Sequence, residues 1–312
     1  MPGNWQPIAR REFRTTVKSR FVWILLIPIV LDGLLNVITS QTAIQHLGNL
    51  RYIASFQRGI GIITPIACII LGAKTVGGAR GEGYLKYTAI QPVSRIGLLL
   101  GKVVGRASGL IVPLSAGVFL GYLHGVVGAN APPLLPTVGF WLASVLYVGT
   151  LMLAMVGLSA TFKNALAPSG LAFILGGGMF LFYDNLLPIL LKSIYGVEEV
   201  SSGTSFAVSS VHSSAPLTVS AFLTRLLPTN AYYTLTNWTL GLPNTDSLSI
   251  FVIYQLTPQV TALDVVLLEN AFESQPVPVY LHPLMSGAVL VFFSTFVFVL
   301  GYYTFNNTDF NQ

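Results

Sequence analysis

Apolar residues run along this chain in six long blocks, at 21–39, 59–77, 103–123, 137–161, 170–191 and 283–305. Each is close to the ~20 apolar residues that carry a helix across a bilayer. The pattern predicts an all-α membrane protein with six transmembrane helices. Ahead of the first block, Trp5, Ile8, Ala9, Phe13 and Val17 recur at the helical period, while Arg10, Arg11, Arg14 and Lys18 gather on the opposite face. That predicts an amphipathic helix within residues 1–20, its apolar face at the acyl boundary and its bases toward anionic headgroups. Spans one to five and their loops occupy 21–191, and span six with a short tail occupies 283–312. Between them, 192–282 mixes polar and apolar stretches. It reads as a folded segment rather than a linker. Arg225–Leu227 followed by Pro228–Thr229–Asn230 predicts a helix end and a turn, and 231–240 a short amphipathic or re-entrant helix. The Ser-rich 201–214 reads as a loop.

Only 9% of the residues are charged, against roughly 25% in a soluble domain. So sparse a set cannot cover a water-exposed surface, and much of this surface must face lipid. The net charge of +5 fits membrane topology better than nucleic-acid binding. Twelve of the sixteen Lys and Arg residues fall on one side. They are Arg10, Arg11, Arg14, Lys18 and Arg20; then Lys74, Arg80, Lys86, Arg95, Lys102 and Arg106; then Lys163. The other side holds Arg51, Arg58, Lys192 and Arg225. Excess positive charge marks the cytoplasmic side, so both termini are expected in the cytoplasm and 192–282 outside. The basic, then apolar, N-terminus is read as an uncleaved first span, because its apolar run is long enough to cross.

The sequence carries few groups that could do chemistry. Cys68, the single cysteine, lies in an apolar run and offers no disulfide and no thiolate cluster. Gly97 to Val103 tempts as a phosphate loop, but its glycines are too close and Val103 stands where a hydroxyl would hold magnesium. The four histidines, His46, His124, His212 and His282, are scattered. No catalytic, cofactor or metal site is expected. Ionisable groups inside a span are by default functional candidates. Asp32 with Asn36 in span one, and Asp184 in span five, are therefore candidates to line a substrate route, although no Lys, Arg or His is expected at their depth. Pro28, Pro65 and Pro113 fall inside spans, where a missing donor tends to kink the helix.

The most informative segment is the basic-side loop at 78–102. Glu82–Gly83 opens a short helix that Pro92 ends, since the residue before proline avoids the helical region. Ser94 is placed to cap the next helix, whose first turns carry Lys102 and Arg106 one turn apart, both free to snorkel toward headgroups. In Glu82, Gly83, Ile90, Gln91, Pro92, Val93, Ser94, Arg95, Gly101 and Lys102 the loop resembles the span two–three loop of the membrane subunits of ABC-2 type transporters, especially the NosY-like permeases. The stretch from Ile8 through Arg10, Arg11 and Glu12 to Arg20 resembles the amphipathic elbow helix of that family, and 302–310 its closing segment.

The resemblance implies a permease without catalytic residues, needing no cofactor. Its energy would come from a dimer of separate cytoplasmic ABC ATPases, and it would pair with a second permease chain, identical or sister. Loop 78–102 and the elbow helix would couple to the ATPase through Arg10, Arg11, Glu12, Glu82, Gly83, Tyr84, Gln91, Pro92 and Arg95. The setting it implies is a prokaryotic cell membrane, with export as the direction. Two other classes compete with this reading. One is a membrane-anchored display or receptor protein whose external segment binds a ligand. The other is a polytopic membrane enzyme, which needs acids or histidines clustered at one depth.

Overall fold

In the computed structural model the described residues are 5–39, 47–73, 75–76, 94–128, 131–162, 166–168, 170–172, 193–194, 214–245, 250, 268 and 276–307. Among them every extended element is a helix. α1 spans Gln6–Lys18, α2 Arg20–Ile24, α3 Leu26–Thr39, α4 Arg51–Ala54 and α5 Phe56–Ala73. α6 spans Arg95–Gly128, α7 Leu134–Thr161, α8 Ser214–Arg225, α9 Pro228–Thr239 and α10 Pro283–Asn306. Five stretches are long and apolar enough to cross a membrane: Arg20–Val37, Gly48–Ala73, Arg95–Gly128, Leu134–Thr161 and Pro283–Asn306. Most of the predicted fifth span lies outside the described residues.

Local sequence explains the breaks. α1 stops at Lys18, where Ser19 is extended (φ −70°, ψ 120°). The first span is interrupted again at Leu25, between α2 and α3. Pro28 cannot donate to the carbonyl of Ile24, and its ring crowds that carbonyl. Pro65 leaves the carbonyl of Gly61 without its helical donor in the same way. There the helix runs on, because the Tyr147 hydroxyl of α7 donates to Gly61 O at 3.1 Å. A neighbouring helix thus satisfies the freed group inside an apolar bundle.

The second and third spans begin earlier than hydropathy predicts. The second runs from Gly48 and takes in Arg51 and Arg58, which the pattern left in or near a polar loop. The third starts at Arg95 rather than 103 and is 34 residues long, or about 51 Å at 1.5 Å per residue. That exceeds the ~30 Å hydrocarbon core, so its ends project beyond it.

Among the described residues α7 and α10 form the most extensive helix pair, with Gly157 and Gly301 at their crossing. A Cβ built on Gly157 would lie 2.5 Å from the Phe298 Cα, so the two backbones touch directly. α10 opens at His282, whose Nδ1 accepts from the Leu284 N–H at 3.2 Å.

α9 is wedged among α5, α7 and α10. Its last residue, Thr239, faces Gly139 near the start of α7. Tyr232 meets Ser144 at 3.1 Å and Thr229 meets Tyr147 at 3.0 Å. The helix therefore starts beside the midpoint of α7 and runs antiparallel along its first half, ending near its start. The predicted helix end falls at Arg225, but the turn expected at Pro228–Asn230 lies at Leu226–Leu227 instead, and Pro228 opens the next helix. The helix expected at 231–240 spans Pro228–Thr239, and Ala231 through Asn237 are all buried. Thr236 and Asn237 are paired within the bundle, whereas the buried Thr234 Oγ1 has no hydrogen-bond partner among the described residues. Gln57 Nε2 donates to Thr236 Oγ1 at 2.7 Å and to Asn237 Oδ1 at 2.6 Å, and Gln57 Oε1 accepts from the Ile250 N–H at 2.7 Å. Arg225, also buried, donates to Asn244 Oδ1 at 2.7 Å and Thr245 O at 2.8 Å.

Candidate functional site

One end of the bundle gathers the N-terminal helix, the end of α5 and the starts and ends of three others. The contact is built on a glycine ridge. Gly101, Gly105 and Gly109 recur every fourth residue and so line one face of α6. α1 lies directly on that face. A Cβ at Gly101 would sit 2.9 Å from the Trp5 carbonyl oxygen, one at Gly105 2.5 Å from the Ala9 carbonyl oxygen, and one at Gly109 2.5 Å from the Thr16 Cβ. Any larger side chain would push α1 away.

This packing decides which face of α1 does what. Ala9 and Thr16 are buried against α6, with Ile8 beside them. The sequence placed Ile8 and Ala9 in the acyl boundary instead. Only Trp5 and Phe13 of the predicted apolar face remain exposed. Arg10, Arg11, Arg14 and Lys18 point outward, as the basic face should.

Glu12 sits on the inward face and meets both bases of the first turns of α6. Arg106 Nε donates to Glu12 Oε2 at 2.8 Å, and Lys102 Nζ approaches Glu12 Oε1 at 3.4 Å. The same two cations also reach α5. Lys102 Nζ donates to Thr75 O at 2.9 Å, and Arg106 Nη1 donates to Leu71 O. These carbonyls close the C-terminal end of α5, where orphan acceptors and the negative end of the helix dipole favour cations. Lys102 and Arg106 thus do not snorkel to headgroups: Lys102 is 9% exposed. Burial alone would raise the Glu12 carboxyl, but the charges of Arg106 and Lys102 outweigh it and hold the group below its ordinary value. A buried pair of this kind is costly to break, because the remaining charge is left uncompensated.

Both edges of the loop between α5 and α6 are pinned nearby. The Val76 N–H donates to Ser159 Oγ at 3.1 Å, and that hydroxyl donates to Ala73 O at 2.6 Å. On the far edge, Ser94 Oγ accepts from the Gly97 N–H at 3.1 Å, which is the cap the sequence predicts. Arg95 Nη1 donates to Phe305 O at 3.1 Å and also to Asn306 O, closing the C-terminal end of α10. Glu82, Gly83, Tyr84, Gln91 and Pro92 lie outside the described residues, and so does Asp184.

Toward the other end of the bundle, Asn36 Nδ2 donates to the main-chain oxygen of Asp32 at 2.8 Å. The Asp32 carboxylate faces Gly59 of α5, next to Arg58, whose charge acts on it. A base therefore does stand near the depth of Asp32, contrary to the sequence expectation.

Among the described residues the arrangement offers fixed charges and rigid contacts. Sequence reasoning missed the Glu12 pairing and the glycine ridge. The four-residue repeat of glycine at 101, 105 and 109 is a small-residue packing signal of the kind that brings membrane helices together, and it was legible. The family model described as ABC-2 family transporter protein matches residues 6–310 of the chain. A comparison with curated proteins returns no match.

Proposed function

The chain belongs to the ABC-2 transporter family, and we propose that it is the permease of an ATP-driven exporter that borrows its energy from a separate cytoplasmic ATPase. Membership and the five long apolar helices make it a multi-pass membrane transport subunit. The finer reading is ours. Two such chains, identical or sister, form the membrane part, and each docks one ATPase of a dimer. Charge asymmetry supports a cytoplasmic N-terminus and tail, which puts the α1 end of the bundle on the ATPase side.

The observation that carries this reading is the joining of α1, α5 and α6 by Glu12, Lys102 and Arg106. A push on the loop between α5 and α6 can reach the spans only if its edges are stiff. A ligand shifts a conformational equilibrium only through different affinities for its states, so the contact must hold one shape in each. Glu82, Gly83, Tyr84, Gln91 and Pro92 would form the ATPase-facing surface of the loop, with the exposed Arg10 and Arg11 beside it. Glu12 and Arg95 act as positioning residues behind that surface. Asp32, Asn36 and Asp184 are assigned to the substrate route.

The burial of α9 within the bundle weighs against a separately displayed receptor segment. The test is purification of the full chain from its native membrane. A co-purifying ABC ATPase whose hydrolysis responds to substitutions in 78–102 supports the reading. A chain that transports with no ATPase bound contradicts it.

A further inference from the structure

The strip along α5 formed by Arg58, Ile62, Ile66 and Ile70 recurs every fourth residue and is exposed. Ile60, Ala67 and Cys68, on the opposite side, are buried. Arg58 takes part in neither of the salt bridges found among the described residues. Beside it, Asp32 Oδ2 is buried without a hydrogen-bond partner among the described residues. That oxygen lies 3.5 Å from where a Cβ of Gly59 would stand. The Tyr233 hydroxyl of α9 lies in the field of both charges. Three elements of the bundle therefore converge on one guanidinium and one orphaned carboxylate oxygen.

A guanidinium on an outward-facing strip of a span is costly in bare lipid. It is retained where something anionic or polar meets it. The strip continues as three isoleucines, so its complement is a molecule with an anionic head and an apolar tail. Guanidinium matches phosphate, sulfate and carboxylate through paired N–H donors. Asp32 offers the internal alternative: its carboxylate stands near enough for the charge of Arg58 to act on it, and its Oδ2 has no hydrogen-bond partner among the described residues.

We propose that Arg58 binds the anionic headgroup of an amphiphilic substrate whose tail lies along Ile62, Ile66 and Ile70, and that Asp32 takes over the guanidinium when the headgroup leaves. This rests on the reading of the chain as a transport subunit and adds the class of cargo. Asp32 is a competitor for Arg58, not a second ligand of the substrate. The two residues therefore have opposite effects on binding.

The test is equilibrium binding of radiolabelled dodecyl phosphate to the full-length chain in nanodiscs of zwitterionic lipid, with dodecanol as the neutral comparator. Arg58→Gln weakens dodecyl phosphate binding about tenfold or more, the loss of a charge-assisted contact, and leaves dodecanol uptake unchanged. Arg58→Lys retains part of the affinity, which separates lost charge from lost folding. Asp32→Asn tightens dodecyl phosphate binding. Equal affinities in the wild type and Arg58→Gln overturn the site, as does equal binding of dodecyl phosphate and dodecanol. Weaker binding in Asp32→Asn overturns the competition. No ATPase is present in this assay, so its failure leaves the coupling reading intact, and a failure of coupling leaves this site intact.

Discussion

Arg106 and Glu12 are 94 residues apart in the chain, and their side chains meet at 2.8 Å. Lys102 completes the contact from one turn earlier, and both cations continue to the end of α5. A single carboxylate on a surface helix thus holds together the N-terminal helix and the two helices that flank the loop. Glu12→Ala leaves two buried cations without their counter-charge. The expected loss is about 3–5 kcal/mol, the usual cost of breaking a buried pair from one side. Thermal unfolding of the purified protein checks it, and Arg11→Ala on the exposed face should change little.

The carboxyl of Glu12 also sets a pH dependence. Its native value lies below the ordinary 4.5, so the contact contributes stability above the unfolded value. That contribution is lost as pH falls from about 4.5 through the lowered native value. The thermal unfolding temperature of the purified protein should therefore fall in that acid window, and in Glu12→Gln it should show no such step there.

The glycine ridge gives a steric test. A side chain at Gly105 meets the Ala9 carbonyl oxygen at 2.5 Å, whereas Gly149 has nothing within 4 Å. Gly105→Leu should displace α1 and expose a cysteine placed at Ala9 to a membrane-impermeant thiol reagent. Gly149→Leu should leave labelling unchanged. Equal labelling in both would remove the ridge from the account.

Tyr147 and Pro65 make a third prediction. Tyr147→Phe removes the donor to Gly61 O and should cost about 1 kcal/mol, the net worth of one such bond. In a Pro65→Ala background the helix supplies its own donor to that oxygen, and the cost of Tyr147→Phe should shrink. A double-mutant cycle reads the difference directly.

How far the sequence discloses this molecule depends on whether the deciding contact is local. Pro28 and Ser94 act within a few residues of themselves, and the break at Leu25 and the cap on α6 follow from position alone. The start of the third span does not. The cap at Ser94 marks the helix start, but hydropathy begins the span only at 103, since the group that neutralises Lys102 and Arg106 lies in α1. Asp32 has the same problem, since its neighbouring base belongs to another helix. The helix end near Arg225 was legible from its residues, but the burial of α9 was not, because Gln57 of α5 pairs with its Thr236 and Asn237. Long-range charge and hydrogen-bond partners are what hydropathy leaves out.

In the proposed function the permease receives its driving motion through loop 78–102. The most direct measurement is the ratio of substrate moved to ATP hydrolysed by the reconstituted complex carrying Glu82→Lys. The account predicts that the complex assembles and hydrolyses ATP while the ratio collapses. A Glu82→Lys complex that transports with the wild-type ratio would contradict it.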